Sequence, residues 1–78
     1  MTVEGEIVAV RETWPLQLTV QSGATRYDVA LSERTRVRRG GVAADAGGLR
    51  ASERVRVTGN APPGAADALV ADAVDVLG

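Results

Sequence analysis

The stretch from Leu16 to Leu31 constrains the fold more than any other. Leu16, Leu18 and Val20 alternate with Gln17, Thr19 and Gln21, the chain turns at Ser22-Gly23-Ala24, and Tyr27, Val29 and Leu31 then alternate with Arg26, Asp28 and Ala30. A period of two puts every apolar residue of both runs on one face, and a short glycine turn joins antiparallel neighbours, so this stretch is a β-hairpin with one wet and one dry side. No segment shows the three-to-four spacing of an amphipathic helix. The rest of the chain has to supply partners for the dry side.

It does so with further short strands. Val3 to Val10 alternates loosely around Gly5, where a strand bends or bulges, and runs on through Ile7-Val8-Ala9-Val10. Trp14-Pro15 stops it, because proline has no N–H for a ladder. Thr35 to Arg38 is a strand fragment ending at Gly40-Gly41, and Val42 to Ala51, with Gly47-Gly48 inside, is a loop holding at most one or two helical turns. Arg54 to Thr58 is a cleaner strand, and after the turn around Pro62-Pro63-Gly64 the last strand covers Ala68 to Leu77. Its apolar phase slips near Ala73-Val74, and a bulge there lets both Leu69 and Val76 point inward. With 78 residues the chain forms one domain, residues 1–78, that buries only roughly 60–65% of its unfolded surface. Five short strands interrupted between the third and fourth describe an all-β, five-stranded OB-like Greek-key barrel, partly open, with at most one short helical turn in that interruption.

The pattern of residues is also similar to a known family. Gly-x-Ile-x-x-Val (Gly5–Val10), Leu-x-Val (Leu18–Val20), Tyr-x-Val (Tyr27–Val29), Thr-x-Val (Thr35–Val37), Leu49 followed by Glu-Arg-Val-Arg-Val-Thr-Gly (Glu53–Gly59) and Leu-Val-Ala-Asp-Ala-Val (Leu69–Val74) resemble the small bacterial OB-like domains of the DUF5666 family. The resemblance covers most of the chain and implies an OB-like fold but no activity. One departure stands out. Where that family has a Gly-Asp turn before its Val-x-Val-x-Gly strand, this chain has Ser52-Glu53.

Function has to be sought in one doubled motif, Ser32-Glu-Arg-Thr-Arg-Val37 and Ser52-Glu-Arg-Val-Arg-Val57. If the valines face the core, Arg36, Arg38, Arg54 and Arg56 face solvent. Two readings fit them: a solvated, salt-bridged sheet face using Glu4, Glu6 and the C-terminal aspartates, or a cationic patch for phosphate or an acidic protein surface. An internal duplication does not fit, since the flanks of the two copies differ. All nine basic residues are arginine, but the net charge of −1 excludes polyanion binding through bulk charge. Trp14 sits in the loop that borders the ligand face in OB folds, either as a barrel-end plug or as a stacking residue. Tyr27 keeps step with Val29 and Leu31 and belongs to the core. The outward residues of the hairpin include no aromatic, so the stacking platform of a single-strand binder is missing. Arg39-Gly40-Gly41 is a single unit of a motif that acts in multiples.

With no His, Cys or Lys there is no evident nucleophile, phosphate loop or metal-ligand spacing. The expectation is therefore not an enzyme, with no cofactor, no catalytic residue, no metal and no identified small-molecule substrate. Asp67, Asp72 and Asp75 could hold a weak cation only if the loop folded back. No apolar run is long enough to span a membrane, no signal peptide is visible, and a soluble, cytoplasmic chain that does not engage membranes is the expectation. The sequence thus supports a non-catalytic interaction or assembly module for a protein partner or for itself, with the Val/Ala-rich last strand as an edge for strand addition. The alternative is a weak single-stranded nucleic-acid binder using Arg36, Arg38, Arg54, Arg56 and Trp14.

Overall fold

The structure, a computed structural model, describes residues 1–13 and 15–77. Its strands are β1 (Thr2–Arg11), β2 (Gln17–Ser22), β3 (Thr25–Ala30), β4 (Arg36–Arg39), β5 (Val42–Ala44), β6 (Arg54–Asn60) and β7 (Ala68–Val76). The sheet order is β3-β2-β1-β6-β7-β4-β5, and a further pairing of β3 with β7 closes five strands into a barrel, β1-β2-β3-β7-β6. This is the OB-type arrangement, with the β4–β5 hairpin as an addition on the β7 side. The barrel is closed, where the sequence suggested a partly open one, because residues Asp28–Ala30 pair in parallel with Ala68–Val70. Such long-range parallel pairing leaves no local mark in a sequence.

Two strands do double duty. Residues Thr2–Glu6 of β1 pair with β6 and Glu6–Arg11 with β2. To serve both, β1 must coil. Gly5 allows it, since a Cβ there would lie 2.2 Å from the Gln21 carbonyl oxygen, and a bulge at Val8 shifts the register to β2. Likewise β7 pairs with β6 along one side and with β3 and then β4 along the other. Its bulge falls at Asp72, between the Thr58–Ala73 and Gly59–Ala71 pairs, so Leu69 and Ala71 before it and Val74 and Val76 after it are all buried. That is the phase slip visible in the sequence.

The alternation of the β2–β3 hairpin is realised as expected, with Leu18, Val20 and Val29 inside. Together with Ile7, Val55, Val57, Leu69 and Val74 they form the fully buried centre of the core. No polar or charged side chain is buried among the described residues, so the barrel interior is packed by apolar contact alone, inside a wall of backbone ladders. The strand fragment expected at Thr35–Arg38 is β4, and of the loop expected over Val42–Ala51 the one short helical turn is a 3₁₀ turn, Ala46–Gly48. The structure adds β5, a three-residue strand joined to β4 through Gly40 and Gly41, both with positive φ. Three residues are too few to display an alternation.

The last strand offers no edge. β7 has a partner on each side, so strand addition there is ruled out, whereas β5 pairs with β4 alone and keeps its outer edge unpaired. No described helix is long and apolar enough to cross a membrane.

Candidate functional site

Each Ser-Glu-Arg copy begins as a turn and ends as a strand. In the first, Ser32 and Thr35 close the turn through the Ser32 N–H to Thr35 Oγ1 bond at 2.8 Å, and Thr35 Oγ1 donates to the Ala71 carbonyl at 2.6 Å, fastening the turn to β7. In the second, Ser52 and Glu53 sit against β1, with Ser52 N–H donating to the Ile7 carbonyl and Ile7 N–H to the Glu53 carbonyl at 2.7 and 2.8 Å. The strands that follow do not touch each other. They flank β7, one parallel and one antiparallel, with Val37 and Val57 both paired to Val74.

Arg36, Arg38, Arg54 and Arg56 are all exposed, as the two-residue period requires. They do not merge into a cationic patch, because β7 stands between the two pairs. Register sets Arg38 beside Asp75, Asp75 beside Arg56 and Arg56 beside Glu4, a row across four strands whose charges alternate in sign. Within this row Arg56 bonds Glu4 at 3.3 Å, an exposed pair of the kind worth about 0–1 kcal/mol. Arg38 and Asp75 form no ion pair with any described residue. Arg34, Arg36 and Arg38 line one side of a shallow cleft of about 360 Å³ whose other side is Asp72, Ala73 and Asp75. Arg54 pairs in register with Glu6 on β1. Asp75 and Glu4 were named in the sequence only as possible counter-ions, and their roles follow from register alone.

Arg39 has a structural role that its Arg-Gly-Gly context did not suggest. Its guanidinium grips the Glu53 carboxylate with both terminal nitrogens and also donates to the Gly48 carbonyl at 3.1 Å, while Glu53 accepts the Arg50 N–H at 2.8 Å. One side chain thereby ties the end of β4 to the 3₁₀ turn and to the turn before β6. The hydrogen bond from Arg39 holds the Glu53 carboxyl below its ordinary pKa, against a smaller opposing effect of burial, with the Arg50 N–H adding to the lowering. The same bond raises the Arg39 guanidinium.

On the hairpin, Arg26 and Asp28 are exposed, and Arg26 Nε donates to Gln21 Oε1 at 2.8 Å. A groove of about 300 Å³ runs between this face and the β6–β7 loop, floored by Leu18, Val29 and Leu69 and edged by Arg11, Gln17, Asp28 and Pro62. No described aromatic side chain lines it. Tyr27 is half-buried against the core. Trp14, the remaining candidate, lies outside the described residues. At the barrel end Val10, Leu16, Ala46 and Leu49 line an apolar hollow of about 340 Å³ with Glu12, Thr13 and Asp45 at its rim. Among the described residues no three acidic side chains gather as a metal site would need, so Asp67, Asp72 and Asp75 do not converge.

No protein-family model matches the chain, and no curated protein matches it in sequence.

Proposed function

We propose that the chain is a non-catalytic β-barrel interaction module that recognises protein surfaces, either of a partner chain or of a second copy, in preference to nucleic acid. The observation carrying this reading is the alternation of sign along Arg38, Asp75, Arg56 and Glu4. A phosphate backbone presents one sign of charge at regular intervals and favours a surface that answers with the other. A mixed row suits a surface that is itself mixed, as protein surfaces are. The absence of aromatic side chains from the described part of the hairpin groove points the same way, since single strands are held largely by stacking.

Fluorescence anisotropy of a labelled mixed-sequence single strand, titrated at ~50 mM and ~200 mM salt, tests this. The expected result is no binding at either salt. Micromolar binding that collapses at the higher salt and is lost when Arg36, Arg38, Arg54 and Arg56 become Gln would overturn the reading in favour of a nucleic-acid site.

A further inference from the structure

We infer that the outer face of β1, β6, β7 and β4 is a self-association surface, on which a second copy of this chain sits face to face. The inference rests on the reading that this face meets protein, and it names the partner.

Across the four strands, spaced about 4.8 Å apart, the charges run Glu4 negative, Arg56 positive, Asp75 negative, Arg38 positive. A two-fold axis parallel to the strands and midway between β6 and β7 turns a second copy over and reverses this order. Glu4 then faces Arg38 of the other copy, and Arg56 faces its Asp75. By symmetry each contact occurs twice, giving an isologous interface of four opposite-charge contacts. The neighbouring rows accept the same operation: Arg36 comes opposite Thr2, and Arg54, whose carbonyl accepts the Leu77 N–H, comes opposite Leu77. No like charges meet.

The row also rejects the competing arrangement. A two-fold axis lying along the row would set Glu4 against Glu4 and Arg56 against Arg56, which is repulsive. Of the row's four charges, the two without an ion pair among the described residues, Arg38 and Asp75, gain a partner in the first arrangement. The interface has no apolar centre, so it forms a weak dimer, sensitive to salt.

Sedimentation velocity at rising protein concentration, at ~50 and ~500 mM salt, supplies the test. The dimer should be present at low salt and weakened about tenfold or more at high salt. Arg38→Glu alone sets Glu against Glu4 of the other copy, and Glu4→Arg alone sets Arg against Arg38. Each single variant should be monomeric. An equimolar mixture of the two single variants should dimerise again, because all four contacts are then complementary. The restoration cannot come from repair within one chain, and thermal melts of each variant confirm that these exposed substitutions leave the barrel folded. A chain that stays monomeric at low salt overturns the inference, whereas salt-sensitive strand binding in the nucleic-acid titration overturns the reading beneath it, so the two failures are distinguishable. A dimer indifferent to salt, or one that both single variants retain, also overturns it and moves self-association to another surface such as the β5 edge.

Discussion

Ser52 has φ +79°, the only non-glycine residue with positive φ among those described. An L-residue held there costs roughly 1–2 kcal/mol relative to the right-handed region, because Cβ crowds the following carbonyl. The backbone here has the shape that glycine favours. Ser52→Gly should therefore stabilise the protein. The relief is partly offset by the about 0.4–1 kcal/mol of extra freedom that glycine gives the unfolded chain, leaving a net gain of about 0.5–1 kcal/mol. The thermal midpoint should rise by about 2–8 °C; an unchanged or lower midpoint in a calorimetric scan would show that the turn is not strained. At this scale the sequence was readable where geometry is periodic and opaque where it is not. The outward aim of Arg36, Arg38, Arg54 and Arg56 follows from their spacing to buried valines. The grip of Arg39 on Glu53 joins two turns that no local pattern relates.

Among the elements, the corners of the barrel carry the tightest contacts. At Gly59 a Cβ would stand 2.2 Å from the Val70 carbonyl oxygen and 2.9 Å from its carbon, both backbone atoms that cannot swing aside. Gly59→Ala must push β6 from β7 next to the Asp72 bulge, and a loss of at least about 3 kcal/mol in chemical denaturation is expected. At Gly47 the nearest atom to a Cβ is the Asp45 carboxylate at 3.8 Å, so Gly47→Ala is the matched control and should change stability by less than about 0.5 kcal/mol. Equal losses at both positions would refute the close-approach argument. The sequence showed the hairpin, the glycine in β1 and the slip in β7, because each is written in one short continuous run. It hid β5, three residues long, and the placing of β7 between the two Ser-Glu-Arg copies, because pairing between distant segments leaves no trace in either one. The candidate face was therefore legible as four outward arginines and illegible as a row of alternating sign.

For the whole molecule, stability should depend on pH in one identifiable way. Glu53 has a lowered pKa in the folded state, so its contribution is fully present above the ordinary carboxylate value, about 4.3, and is lost as pH falls through its folded value. Stabilities of the wild-type chain and of Glu53→Gln, measured by denaturant unfolding, should differ at neutral pH and converge in acid. A difference that stayed constant down to the lowest pH at which the chain folds would mean that the carboxylate charge is not what Arg39 holds. Topology adds a consequence in time. Because β7 closes the barrel against β3, pairs with β6 and seats β4, and follows all three along the chain, none of them can complete its pairing until β7 is in place. Until then Val29, Val37 and Val57 border an open seam, so closure of the core waits on the last of the seven strands to pair.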